Sequence, residues 1–150
     1  MFCLRIILSS LLLFSCGPGF SDFVADLGNS YYFADTNALD KIIYYENNDK
    51  ASTVIGNLVV SYNRKGNFIV ALRQPERKHH KQVAIEKMFE RKCEYWIIDT
   101  GNRRILGPLA KDEYFDKIKI IGIPENALET PASSGVPMFC FKGEANSARK

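Results

Sequence analysis

Few residues of this chain are of types that do chemistry. It has four cysteines and two histidines in 150 residues. His79 and His80 adjoin inside Glu76-Arg77-Lys78-His79-His80-Lys81, where the neighbouring cations disfavour a protonated imidazole and weaken any hold on a divalent metal. A solvated loop accounts for them, and no metal site is expected. Cys93 or Cys140 could serve as a nucleophile only beside a histidine, which the spacing does not supply. Asp99, Asp112, Glu113 and Asp116 are each usable acids or bases, but Asp99 stands where a turn favours aspartate and Asp112 where a helix favours a cap. The chain has no Gly-rich phosphate loop, no His-Glu-x-x-His, no Gly-x-Ser-x-Gly and no Cys-x-x-Cys. Neither catalysis nor a cofactor is expected.

Cys16 carries the clearest chemistry. Arg5 precedes the apolar run Ile6-Ile7-Leu8-Ser9-Ser10-Leu11-Leu12-Leu13-Phe14, which has the length of a secretory signal core and falls short of the roughly 20 residues of a membrane span. It ends in Leu13-Phe14-Ser15-Cys16, which resembles the lipobox of bacterial lipoproteins and departs from it at Phe14, a position usually small or aliphatic. That resemblance implies a diacylglyceryl thioether on Cys16, removal of residues 1–15 and acylation of the new amino terminus, by palmitate for instance. Stable anchoring takes more than one acyl chain at about 0.8 kcal/mol per buried methylene, and this modification supplies them. Residues 16–22, with Gly17-Pro18-Gly19, would form the tether. The other readings of the segment are an ordinary cleaved signal and an uncleaved anchor.

Residues 23–124 read as one compact domain, for which 46% hydrophobic and 12% aromatic residues suffice. Tyr31 to Thr36 and Lys41 to Glu46 are short aromatic and β-branched runs, and a turn is expected over Asn47 to Lys50. Leu58, Val60 and Tyr62 alternate, which predicts one core-facing side. Phe68, Val70 and Leu72 alternate after Asn63-Arg64-Lys65-Gly66, the best hairpin signal in the chain. Further strands are expected at Glu94 to Asp99 and Arg104 to Leu109, with Gly107-Pro108 turning the chain toward a helix. Tyr95 and Trp96 must then face opposite sides, and one of them could meet a ligand. A helix is predicted from Asp112, placing Tyr114, Phe115, Ile118 and Ile121 on one side and stopping at Gly122-Ile123-Pro124. A second helix is expected over Val83 to Lys92. The fold class expected is α+β, a predominantly antiparallel meander with one or two short helices.

Residues 125–150 read as a mobile tail, except that Met138-Phe139-Cys140-Phe141 should find a surface to cover. In an oxidising compartment Cys93 and Cys140 could pair. Net charge is +3 from 20 basic and 17 acidic residues, too even for a dedicated nucleic-acid binder. Arg73, Arg77, Lys78 and Lys81 face only Glu76 among acids nearby and form a candidate contact for an anionic partner, with a solvated connection as the alternative.

Asp26 to Phe33, Val59 to Gln74 and Tyr95 to Leu109 followed by Glu113-Tyr114-Phe115 together resemble a family of small uncharacterised bacterial lipoproteins. The tryptophan strand followed by Gly107-Pro108-Leu109 is the most specific part. The resemblance implies one exported domain and carries over no activity and no site residue. The expected function is a noncatalytic envelope binding module, held at the membrane through Cys16 and contacting an envelope protein or anionic polymer. A structural component of an envelope assembly is the alternative, and a hydrolase a more distant one.

Overall fold

The computed structural model describes residues 23–37, 39–77, 90, 92–128 and 140. The signal segment, Cys16 and its tether, and most of the tail lie outside these residues, as does the helix expected over Val83 to Lys92 apart from Glu90 and Lys92. Eight strands are described: β1 (Phe23–Gly28), β2 (Tyr31–Asp35), β3 (Lys41–Asn47), β4 (Lys50–Ile55), β5 (Val59–Lys65), β6 (Phe68–Arg73), β7 (Glu94–Asp99) and β8 (Arg104–Leu109). They are followed by helix α1 (Lys111–Ile120) and a 3-10 turn (Glu125–Leu128). All pairings are antiparallel, and the strands form two four-stranded sheets, each in chain order, β1 to β4 and β5 to β8. This is the expected α+β meander, divided in two after β4.

The β5–β8 sheet is the middle layer. One face, with Val59, Ile69, Ala71 and Ile98, packs against Leu27, Tyr31, Phe33, Ile43 and Ile55 of the first sheet. The other, with Val60, Val70, Leu72, Tyr95, Ile97 and Leu109, packs against Tyr114 and Ile118 of α1 and against Ile123, Ala127, Leu128 and Cys140. A strand buried on both sides must be apolar at both parities, which is why β6 reads Phe-Ile-Val-Ala-Leu.

The expectation that Leu58, Val60 and Tyr62 share a face fails at a β-bulge. The register shifts between Val59 and Ser61, so Tyr62 turns to the inter-sheet side and its ring lies 4.5 Å from Phe33, while Leu58 and Val60 stay on the helix side. An extra residue in a strand reverses the parity of everything beyond it.

Helix α1 also starts differently from expectation. Its N-cap is Ala110, extended at φ −71° and ψ 160°, with no capping side chain. Asp112 is not the cap; it lies with Glu113 in the first turn, where negative charge opposes the positive helix end. The C-terminal stop is as read. Gly122 has φ +71°, Ile123 N–H donates to Ile118 C=O at 3.0 Å and Gly122 N–H to Lys119 C=O at 3.4 Å, and Ile118 and Ile123 are both buried. That is a Schellman motif with its apolar contact. The folded chain continues past Pro124, because Ala127 and Leu128 are buried in the helix-side core.

Gly107 lies inside β8 rather than at a bend between strand and helix. Its peptide bond to Pro108 is cis and its φ is +147°, and a Cβ there would fall 2.5 Å from Trp96 Cε3 and 2.6 Å from Cδ2. Trp96 thus lies across a bare stretch of backbone that only glycine leaves open. Gly107→Ala is expected to lower stability by about 3 kcal/mol, combining a clash with a rigid ring and an unfavourable φ. Gly66→Ala, at φ +58° with nothing within 4 Å of the added carbon, should cost only about 1 kcal/mol. Urea unfolding midpoints measure both, and equal losses would contradict the packing described.

Candidate functional site

The residues singled out in the sequence do not converge. Cys16, Lys78, His79, His80 and Lys81 lie outside the described residues. Arg73 is half-buried and committed: its Nη1 meets Glu94 Oε2 at 3.0 Å and its Nε donates to Asn57 C=O at 2.9 Å. It pins the end of β6 to β7 and to the crossing between the sheets, which removes it from the exposed basic cluster. Arg77 is exposed. Cys93 and Cys140 are joined in a disulfide, with Cα atoms 5.7 Å apart. Glu113 pairs with Lys117 at 3.6 Å across one helical turn. Asp112 and Asp116 are exposed on the same helix. Among the described residues no three metal-ligating side chains come together. Tyr95 is buried against the rings of Tyr114 and Phe115, and Trp96 is half-buried over Gly107.

A charged surface does form elsewhere. In a meander the turns joining first to second and third to fourth strand of each sheet fall at one end, and side-chain bonds hold three of these four hairpin turns together here. Asn29 Nδ2 donates to Thr100 Oγ1 at 2.7 Å, and the Thr100 hydroxyl and N–H both donate to Asn67 C=O at 2.8 Å. Thr100 is 5% exposed, so this junction of the β1–β2, β5–β6 and β7–β8 turns is shielded from competing water.

Four cations sit around the junction. Arg64 Nε donates to Gly66 C=O at 3.1 Å, and its guanidinium lies over Gly28, where any Cβ would collide with it. Arg103, at φ +54°, holds its guanidinium 5.6 Å from the Tyr45 ring centroid, and Tyr45 in turn packs 5.1 Å from Tyr31. Burial raises the Tyr31 hydroxyl pKa, Tyr45 adds to the rise, and the Arg103 charge opposes it. Lys65 and Arg104 lie in one cross-strand row, through the pairs Lys65 with Phe68, Phe68 with Asp99 and Asp99 with Arg104. All four cations are exposed, and none is ion-paired to a described carboxylate.

Asp99, the cross-strand neighbour of Arg104, is taken up by other bonds. Its Oδ1 accepts from the Gly101 and Asn102 N–H groups, both at 3.1 Å, and its Oδ2 from Asn102 Nδ2 at 2.7 Å. The carboxylate is consumed by its own turn. The sequence marks a hairpin at Asn63-Arg64-Lys65-Gly66 and a turn residue at Asp99, and neither feature by itself implies a charge role. The signal for one is a pair of adjacent cations at each of two tight turns, which only the sheet pairing brings to one place.

Residues 28–128 match the family described as Protein of unknown function (DUF3997). The match runs from the Gly28 turn through the 3-10 turn and so contains the whole hairpin end. No curated protein and no solved structure matches.

The bonds to Asp99 lower its pKa, the Asn102 side chain contributing most, then the Asn102 N–H, with Gly101 N–H and the Arg104 charge adding to them. A carboxylate with a lowered folded pKa stabilises the fold fully above its ordinary value of about 4 and loses that contribution as pH falls through the lower value. The Asp99 carboxyl should therefore titrate, by its carbon NMR shift, below the ordinary aspartate value of about 4. Asp99→Asn should flatten the loss of stability below about pH 4; an unchanged acid profile would refute the role.

Proposed function

The chain belongs to this family of proteins of unknown function, and we propose that it is a lipid-anchored bacterial envelope protein whose domain binds an anionic partner without catalysis. The observation that carries the binding reading is the hairpin end: four cations ion-paired to no described carboxylate, two of them guanidinium groups held against Gly28 and Tyr45. Ordered guanidinium groups lose less freedom when they take a carboxylate or phosphate in bidentate fashion. The noncatalytic reading is supported by the engagement of two of the four candidate acids, Asp99 in its turn and Glu113 with Lys117. Export is supported by the apolar segment ending at Cys16 and by the Cys93–Cys140 disulfide, since such bonds persist in oxidising compartments.

The direction of β1 refines the reading. The chain enters the domain at Phe23 and runs along β1 to the hairpin end, a distance of about 20 Å for a strand of this length. A tether from Cys16 therefore joins the end opposite the cations, and an acidic envelope protein or polymer beyond the anchoring membrane suits them better than its own lipid headgroups. β6 ends at Arg73 at the tether end, and the cations that follow in the sequence, Arg77, Lys78 and Lys81, are the ones proposed to meet anionic lipid.

Two measurements test this. Fatty-acid labelling should mark the full chain and fail for Cys16→Ser; persistent label would end the lipoprotein reading. The full chain carrying Cys16→Ser should bind a labelled oligoglutamate peptide more weakly as salt rises, and Arg64→Gln and Arg103→Gln should each weaken it about tenfold, the scale of one lost charge-assisted hydrogen bond. Arg77→Gln with Lys78→Gln and Lys81→Gln should instead weaken binding to vesicles of phosphatidylglycerol. Peptide binding indifferent to Arg64 and Arg103 would overturn the assignment of the hairpin end.

A further inference from the structure

The outward face of the β1–β4 sheet has a composition that packing does not explain. Strand alternation sends Ala25, Tyr31, Phe33, Ile43 and Tyr45 to the inter-sheet core and leaves Val24, Asp26, Tyr32, Ala34, Ile42, Tyr44, Glu46 and Thr53 on the other side. The register gathers these into rows: Val24, Ala34 and Ile42 in one, then Asp26, Tyr32, Tyr44 and Thr53, then Glu46 with Ala51. None of the apolar members belongs to either core cluster, although Ala34 at the middle of the first row is buried. Val24 is 52% exposed, and Tyr32 and Tyr44 are half-buried and stacked, with centroids 5.3 Å apart and planes at 21°.

The charge on this face has one sign. Asp26 closes the row at Tyr32, and Glu46 lies close enough to Tyr44 that its charge, after burial, raises the tyrosine pKa. No strand residue on the face is lysine or arginine. Asp26 Oδ1 accepts from Gly28 N–H at 2.6 Å, which fixes the carboxylate at the rim and leaves its other oxygen without a described partner.

We infer that this face docks an arginine-bearing segment of a partner protein, the guanidinium lying on the Tyr32–Tyr44 pair and donating to Asp26 and Glu46. A guanidinium is planar, stacks on aromatic faces and carries enough donors to meet two carboxylates at once, properties that a lysine ammonium lacks. A purely apolar partner would strip water from both carboxylates with nothing in return. An anionic lipid surface would be repelled by them.

The inference is independent of the hairpin end, and its test reads different residues. The full chain carrying Cys16→Ser would be titrated with a labelled peptide of alternating arginine and valine, and with lysine–valine and glutamate–valine counterparts. The arginine peptide should bind, the lysine peptide more weakly and the glutamate peptide not at this face, with amide NMR shifts centred on Asp26, Tyr32, Tyr44 and Glu46. Asp26→Asn, which keeps an acceptor for Gly28 N–H, combined with Glu46→Gln should weaken the arginine peptide about tenfold or more. The charge-matched pair Asp112→Asn and Asp116→Asn on α1 should leave it unchanged. Equal loss in both pairs, shifts centred elsewhere, or sedimentation showing that a second copy occupies the face would each overturn the proposal.

Discussion

The structure depends on one constraint: the central strands β6 and β7 of the β5–β8 sheet have no wet face. Ile69 and Ile98 look one way and Val70 and Ile97 the other, and all four are at most 2% exposed. Each such side chain contributes about 1.5–3 kcal/mol by leaving water, and each is available only because a separate layer covers it, the first sheet on one side and α1 with the 3-10 turn on the other. The local irregularities serve this arrangement. Leu58 adopts φ +64° while fully buried at the crossing between sheets, sending its side chain to the helix layer while Val59 goes to the other core. The bulge after Val59 then turns Tyr62 toward Phe33.

A middle layer so apolar pushes polar chemistry to the margins. Next to the inter-sheet core, Lys41 forms a tight ion pair with Asp35, bonded to both carboxylate oxygens at 2.8 and 2.9 Å with Lys41 3% exposed. It joins facing residues of β2 and β3, so a slip of one residue would separate the charges in a dry place at a cost of several kcal/mol. It therefore acts on register more than on stability. At the opposite end Thr100 makes the same kind of specification with neutral groups, tying three turns without charge. The cations around that junction are not called on to set the register: Arg103 rests on the Tyr45 ring, and none is ion-paired to a described carboxylate.

What the sequence disclosed follows from the same layering. Strands β2, β3, β6, β7 and β8, and the Gly122 stop, were legible because aromatic and branched runs ended at recognisable turns. Strands β1 and β4 were not singled out. Lys50-Ala51-Ser52-Thr53 is wholly exposed on a sheet edge and has no apolar face to betray it, and Phe23 and Val24 are exposed at the start of β1. Alternation likewise could not reveal two sheets, since both parities of β6 are apolar. Asp112 looked like a cap because its residue type fits, but the turn had already begun at Lys111. Arg73 looked free because Glu94 lies far along the chain and opposite it only in the sheet.

The two surfaces left over are unequal in origin, and that bears on how each can work. The hairpin end is made of turns, where chains are usually soft, yet Asn29, Thr100 and Asn67 fix three of the four turns and Tyr45 supports Arg103 from below. Its order comes from polar bonds that a falling pH reaches through Asp99. The outward face of the first sheet is instead held by the core behind it: Tyr32 alternates with Tyr31 and Phe33, and Tyr44 with Ile43 and Tyr45, so each half-buried ring is positioned by core-facing neighbours in the same strand. Its geometry persists as long as the inter-sheet core does. Both surfaces are therefore held before binding, one by a packed core behind a sheet and the other by turn bonds and ring contacts, and each loses little freedom when it meets a partner. Acid and salt should therefore act on the two surfaces separately, through the turn bonds and screened charge at one and only through the rim carboxylates at the other.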